Sequence, residues 1–488
     1  MQHKFQAFLV CVTGIFVTVF DTSSSIVALP TIALQFATDL PTAQWVILGN
    51  SLTIAALLVP LGRLSDSVGR KRIYVTGCCL FSAGAVLAAT AVGIYPLIAA
   101  RVLVGIGSAM TQSTAMAILI GTFGIHERAR VLGLQMTGVG LGGIAGPAVG
   151  GLIVGAVGWR ALFAMTAVAM LVIALSGHRV LERDKRHPTE RKPFDSTGAA
   201  LFSAALVAAL LALTLGPRMG WTAPAAVAVY AVAALLALAF IAVERRSAAP
   251  LLDIALFRVG AFGLGALGSV VAFMGISSTR FLAPFFLQGV KGLDPSRVGL
   301  LMMPAAIVTA VTGPFVGRLA DRFGVRLFAN LGIGIALLGL LQFALLDAES
   351  SAWTVVAALM TVALGLSTFS APNSTSMLNA VEPRAHGFAS GFVNLCRNTG
   401  NVIGIAFGTA IVSLTMARAG YAPSLDEVAA DADRGLLGAF TEGLRSAAGG
   451  LLVLTSTVLM VLVAWTWRVY RSSRAERPAP PERSAPSG

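Results

Sequence analysis

The sequence predicts an all-α polytopic membrane protein: two six-helix bundles with two further helices inserted between them. Three observations predict it. First, the chain of 488 residues is 56% hydrophobic and only 12% charged, about half the charge of a soluble chain, with mean hydropathy +0.82. Second, apolar runs of about 20 residues recur from end to end. They are continuous rather than alternating, which selects helices over a closed β-barrel. Third, the stretch Gly62-Arg63-Leu64-Ser65-Asp66-Ser67-Val68-Gly69-Arg70-Lys71-Arg72 is written again as Gly317-Arg318-Leu319-Ala320-Asp321-Arg322-Phe323-Gly324-Val325-Arg326, offset by 255 residues. A charged, glycine-punctuated segment at matching places in two halves indicates a duplicated membrane fold.

In chain order, the predicted spanners are helix 1 from Phe8 to Leu29, stopped near Pro30, and helix 2 from Gln44 to Leu61. The first copy of the repeated segment, a tight turn between two glycines, follows helix 2. Helices 3 and 4 cover Ile73–Val92 and Tyr95–Phe123, and helix 5 covers Val131–Val157. In helix 5, Gly138, Gly142, Gly146 and Gly150 recur every four residues, a face on which another helix can approach closely, and Pro147 adds a kink. Helix 6 is Ala161–Val180, followed by a charged linker, Leu181–Asp195, that reads as a solvated connection between bundles. Helices 7 and 8, Gly198–Leu215 and Ala223–Val243, have no ionisable residue and suit a lipid-facing position. Helices 9 to 13 cover Ala261–Gln288, Val298–Val316, Leu327–Leu346, Trp353–Leu378 and Gly387–Met416. The acidic stretch Ala417–Ala448 reads as an outside loop, with Asp426–Arg445 as a surface helix. Helix 14 is Gly449–Trp467, and the tail from Arg468, rich in Arg, Pro and Ser, reads as disordered. The domain layout is thus a bundle over 1–181, a linker over 182–197, the inserted pair over 198–243, a second bundle over 244–467 and a tail over 468–488.

The net charge of +13 raises the question of nucleic acid. On this layout the cytoplasmic segments carry a net +13, the outside loops −2 and the spanners +2. The surplus is the positive-inside rule, which places both termini inside and leaves no role for nucleic acid. Cys11, Cys78, Cys79 and Cys396 lie in apolar runs without metal-ligand or redox spacing and read as small buried hydrophobes. The segment Gly138-Val139-Gly140-Leu141-Gly142-Gly143 fits a dinucleotide fingerprint only literally, since it lies inside a spanner with no preceding strand. There is no Walker A segment, so ATP is not the direct energy source, and no constellation of catalytic residues argues for an enzyme. Arginine outnumbers lysine 30 to 5, which hints at a GC-rich bacterial genome.

Four segments carry a family resemblance. The repeated segments resemble the loop after the second helix of each half in major facilitator superfamily transporters. Phe20-Asp21-Thr22 with Ala28-Leu29-Pro30 is similar to a helix 1 motif of the 14-helix drug:proton antiporter branch, which includes the EmrB- and QacA-like exporters. Arg101-Val102-Leu103-Val104-Gly105-Ile106-Gly107 resembles its helix 4 motif. Gly142-Gly143-Ile144-Ala145-Gly146-Pro147-Ala148-Val149-Gly150-Gly151 resembles its helix 5 antiporter motif, with Gly142, Gly146, Pro147, Gly150 and Gly151 as the matching positions. The resemblance covers nearly the whole chain and departs at Ser67, where the family usually has a basic residue. It implies the major facilitator fold, alternating access between two rocking bundles, a proton as coupling ion with no other cofactor, and a bacterial inner-membrane location. It also implies an amphipathic small-molecule substrate, contact with membrane lipid, a monomer, and a periplasmic adaptor if the cell is Gram-negative. Gly62, Asp66, Gly69 and Arg70 would inherit the family's cytoplasmic latch between bundles; the alternative is that Asp66 only caps a helix start.

The residues themselves point to a coupling site. Asp21 is the only acid inside any predicted spanner, and an ionised carboxylate at that depth costs about 2.5–3.5 kcal/mol even on lenient insertion scales. Thr18, Asp21, Thr22 and Ser25 share a helical stripe at i, i+3, i+4 and i+7, expected to face a central cavity. Arg101 lies about one turn below the outer end of helix 4 and Asp21 about 12 Å below that of helix 1, a difference a long Arg side chain can close, so the two are candidate partners, either as a proton-loading pair or as a static tie between helices. Asn394, Arg397, Asn398 and Asn401 form a second stripe of the same spacing. Arg280, about 12 Å from the outer end of helix 9, either faces the cavity or snorkels outward, and Asn50, Gln112 and Asn373 are further polar residues that either line the cavity or bond between helices. One membrane Asp against three membrane Arg predicts that neutral, anionic or zwitterionic amphiphiles are preferred over dications. The function expected is proton-coupled export of amphipathic molecules. A dedicated exporter of one metabolite, antibiotic, siderophore or lipid is the alternative, and a non-transporting sensor or scaffold is a remote one.

Overall fold

The computed structural model describes residues 2–123, 128–182, 195–219, 223–246, 260–381, 386–422 and 434–475. Among these, fourteen helices are long and apolar enough to cross a membrane. They are α1 (Gln2–Gln35), α2 (Trp45–Val68), α3 (Arg70–Ala89), α4 (Ile94–Thr122), α5 (Arg128–Ala156), α6 (Trp159–Val180), α7 (Ser196–Met219), α8 (Pro224–Glu244), α9 (Gly260–Phe285), α10 (Pro295–Phe323), α11 (Val325–Ala344), α12 (Ala352–Asn379), α13 (His386–Arg418) and α14 (Arg434–Ala475). A single turn, Leu40–Ala43, precedes α2, and a π-helical turn, Phe286–Val290, extends α9.

The helices pack as a repeat. In the first half α3 lies on α4, α1 on α5, α2 on α4 and α3 on α6. Advancing each helix number by eight gives the second half, where α11 lies on α12, α9 on α13, α10 on α12 and α11 on α14. The two main contacts between halves, α5 with α10 and α2 with α13, exchange under the same operation. The two copies of the repeated segment also share one backbone geometry. Gly69 sits at φ 113°, ψ 128° and Gly324 at φ 107°, ψ 126°, each joining consecutive helices. Side chains are excluded from that region, so each hinge needs glycine.

Several expected boundaries move. The first repeated segment is a one-residue turn rather than a two-glycine loop: Gly62 through Val68 lie inside α2, and only Gly69 turns the chain. Asp66 therefore sits in the last turn of α2, not at a helix start. Helix α1 continues through Pro30 to Gln35, because a proline late in a helix removes one backbone bond while the turns beyond it keep theirs. The chain turns away at Ala37, with φ 44°. The second half ends in one unbroken helix of 42 residues, α14, about 63 Å long. The surface helix and helix 14 merge because no proline separates them, and Leu444, Ala447 and Leu451 are buried along one face; residues 426–433 lie outside the described set. The inserted pair is not uniformly lipid-facing. Helix α8 is largely exposed, but α7 packs against both α2 and α13, and Ser203 Oγ donates to Ala56 O at 2.8 Å. Cys79 is exposed, unlike the other three cysteines. Most of the linker, residues 183–194, and the tail beyond 475 lie outside the described residues.

Candidate functional site: a central cavity backed by a sealed ion pair

A cavity of about 330 Å³ lies between the halves, walled by α1, α2, α4 and α5 from one and by α9, α10, α12 and α13 from the other. Of the residues singled out in the sequence, Thr18, Thr22, Gln112, Arg280, Arg397, Asn398 and Asn401 stand in its wall, as does Pro147. Ser25, Asn50, Asn373 and Asn394 do not. Asn50 is fully buried and donates from Nδ2 to Thr22 Oγ1 at 3.3 Å, one step behind the wall. Asn373 donates to Gly265 O and Ser269 Oγ, each at 2.9 Å, and ties α12 to α9. Ser25 Oγ is buried in the first half, and the Asn394 carbonyl accepts from Asn398 Nδ2 within α13. A polar stripe on a helix of a bundle is wider than the strip facing the cavity, so its edges turn to neighbouring helices.

The same division separates Asp21 from Thr18 and Thr22. Asp21 is outside the cavity wall and fully buried, turned toward α4 and α6. Arg101 Nη2 donates to Asp21 Oδ2 at 2.7 Å, with both side chains 0% exposed. Arg101 Nε donates to Val46 O at 3.2 Å, and its guanidinium lies 5.2 Å from the Phe163 ring centroid. Thr166 Oγ1 lies 3.5 Å from Asp21 Oδ1. Arg101 Nη1 has no partner among the described residues. A buried pair with an unmet donor is held against a large desolvation cost, and breaking it costs more than making it gained.

The glycines of α5 serve two different contacts. A Cβ at Gly142 would meet Phe16 O at 2.9 Å, at Gly146 Ser23 Cβ at 2.5 Å and at Gly150 Ser24 Cβ at 2.4 Å, so this stripe seats α1 within one half. Pro147 and Gly151 face the other half. A Cβ at Gly299 would lie 2.2 Å from Pro147 O, and one at Gly151 would lie 2.6 Å from Pro295 O. On the same side of the molecule, away from the α1 start, Thr31 Oγ1 donates to Gln288 Oε1 at 3.3 Å and Gln288 Nε2 donates to Val27 O at 2.9 Å. Gln288 sits in the π-helical turn, a distortion often found at functional sites. This seal of Thr31, Gln288, Ser296 and Gly299 was not legible in the sequence; its trace was a second four-residue series one position on from the first, Gly143, Pro147, Gly151 and Gly155, with Ser296 packed against Gly155. Helix α10 exposes Leu300, Ile307, Val311, Phe315 and Leu319 along its length.

Of the residues assigned to the latch, Arg70 and Asp66 make contacts within the first half. Arg70 pairs with Asp66 at 3.0 Å one turn earlier, and its Nη1 donates to Ala117 O of α4 at 3.0 Å. The pair thus ties α2, α3 and α4 within the first half. Gly62 faces Ser113 at ordinary van der Waals distance.

Comparison with known proteins places this geometry. The profile of the Major Facilitator Superfamily matches residues 11–405 and 265–486. The multidrug resistance protein Stp of Mycobacterium tuberculosis (strain ATCC 25618 / H37Rv) is 32% identical over 399 residues, 80% of this chain and 73% of that protein. The riboflavin transporter RibZ of Clostridioides difficile (strain 630) is 28% identical over 408 residues, 83% of this chain and 88% of that protein. A bacterial homologue of the human lysosomal transporter Spinster, solved in an inward-facing and unoccupied conformation, superposes with a TM-score of 0.69 at 18% identity over 98% of this chain and 99% of that one, a likeness of fold. With its fourteen long apolar helices and a cavity between two repeated halves, this multi-pass membrane protein belongs to the Major Facilitator Superfamily, a family of transporters rather than of enzymes.

Proposed function

We propose that the protein is a proton-coupled exporter of amphipathic small molecules across a bacterial cytoplasmic membrane. The observation that carries this reading is the position of Asp21. It lies on α1 between Thr18 and Thr22, which line the cavity, yet its carboxylate is sealed against Arg101 on the far side of the same helix. Any shift of α1 upon binding at Thr18 and Thr22 moves Asp21 relative to Arg101. Such a shift couples events in the cavity to the buried Asp21–Arg101 pair, the proposed coupling site. One proton moving inward across 100 mV supplies about 2.3 kcal/mol, enough for a gradient of about 50-fold in a neutral substrate. The Thr31–Gln288 and Pro147–Gly299 contacts close the cavity on the outer side, and that closure supports an inward-facing state. The proposed protein acts as a monomer, with a periplasmic adaptor if the cell is Gram-negative.

A dedicated exporter is the second reading, favoured by the single-metabolite name of RibZ beside the multidrug name of Stp. Proteoliposomes holding a panel of amphipathic dyes, with an imposed proton gradient, test the proposal. Several dyes should move against their gradients and stop when a protonophore is added. Movement of one compound alone selects the dedicated reading, and movement indifferent to the protonophore rejects proton coupling.

A further inference from the structure

Asp21 and Arg101 cancel each other away from the cavity, so the charge that a substrate meets is that of the wall. The wall contains Arg280 on α9 and Arg397 on α13 and, among the described residues, no Asp or Glu. Neither arginine has a salt bridge or hydrogen bond among the described residues. Both come from the second half, while the first half offers neutral hydroxyls and the Gln112 amide. Two guanidiniums facing a cavity with low-dielectric walls focus a positive potential within it, and repulsion of a cation there is poorly screened.

The packing also sets their heights. A Cβ at Gly400 would meet Val270 O, at Gly404 Met274 O and at Gly408 Ser278 Oγ. Helices α9 and α13 therefore run parallel with a constant register, and Arg280 stands thirteen residues above Arg397, about 20 Å of helical rise. Asn401 lies one turn from Arg397 on the same face and also stands in the wall. A guanidinium fork with an amide one turn away matches a carboxylate, which it can bind bidentately with charge assistance. Phe273, Ile276 and Ile405 supply apolar wall.

We propose that this cavity is a binding site for anionic amphiphiles: the carboxylate docks on Arg397 and Asn401, the apolar body lies against Phe273, Ile276 and Ile405, and Arg280 adds attraction from above. The site depends on the transport reading only for the steps after binding. Its test is therefore a binding measurement that needs neither transport nor a proton gradient.

The experiment is calorimetric titration of the full-length protein in lipid nanodiscs with three matched probes: naphthylacetate, its methyl ester and naphthylmethylamine. The acid should bind at least about tenfold more tightly than the ester, and the amine most weakly. Arg397→Gln should bring the acid to within about twofold of the ester, with a thermal unfolding midpoint matching the unsubstituted protein to report that the variant is folded. Arg280→Gln should weaken the acid by a smaller factor, about threefold, and Arg397→Glu should reverse the order of acid and amine. Equal binding of the three probes, tighter binding of the amine, no binding of any probe, or an acid preference that survives Arg397→Gln overturns the proposal. Tight acid binding with no protonophore-sensitive efflux leaves the site standing and rejects the coupling reading instead.

Discussion

Arg101 and Asp21 meet at 2.7 Å with no exposed surface on either side chain, joining α4 to α1 one helix face behind the cavity. Removing one partner leaves the other charge buried and unpaired, at a cost of about 3–5 kcal/mol. Asp21→Asn and Arg101→Gln are each expected to lower thermal stability in detergent sharply, while the double variant is expected to recover most of that loss, as a contacting pair requires. Unfolding followed by tryptophan fluorescence checks this. Additive losses in the double variant would show that the pair is not the source. Asp21→Asn at matched membrane abundance should also lose proton-coupled transport; wild-type coupling in that variant would remove Asp21 from the mechanism.

Gly62 and Gly69 begin and end the same repeated segment but are under different constraints. Gly69 has φ 113° and Gly324 φ 107°, whereas Gly62 is inside α2 with its nearest prospective neighbour 3.8 Å away. Gly69→Ala and Gly324→Ala should each cost about 1–3 kcal/mol of strain. Gly62→Ala should be neutral or stabilising by up to about 1 kcal/mol, the difference between glycine and alanine in a helix. Chemical denaturation of the three variants decides it, and equal effects at Gly62 and Gly69 would contradict the backbone geometry.

The seal between Pro147 and Gly299 leaves no room for a side chain. Gly299→Leu should force the halves apart on that side, and Gln288→Ala should weaken it by the two hydrogen bonds lost, about 1–3 kcal/mol in total. A spin-label pair at Phe36 and Leu293 should report a longer distance population in Gly299→Leu and a smaller gain in Gln288→Ala. An unchanged distance distribution in both would mean that these contacts do not hold the side closed.

From the charge distribution, the Leu181–Asp195 linker is expected inside and the Leu345–Ser351 turn outside. A membrane-impermeant thiol reagent applied to intact cells should label Glu349→Cys and fail to label Thr189→Cys. The opposite pattern would invert the topology and with it the direction assigned to transport.

The sequence by itself determined the class of protein, the number of spanners and the duplication, and it singled out Asp21 as the one acid in a predicted spanner. Each follows from a property that a membrane imposes residue by residue: continuous hydropathy, a repeated hinge, and the cost of an acid at depth. Helix ends were less legible, because Pro30 and the Gly449-Gly450 pair punctuate a sequence without breaking a packed helix. Only the tertiary structure decided which way each polar stripe points. Spacing at i, i+3, i+4 and i+7 gives the angle between side chains, not the rotation of the helix against its neighbours. Packing on α4, α5 and α6 sets that rotation for α1, and it sends Asp21 to Arg101 while leaving Thr18 and Thr22 at the cavity. The same physics left Arg280 and Arg397 in the wall with no acid in it among the described residues, a net charge that no count of membrane residues could assign to a place.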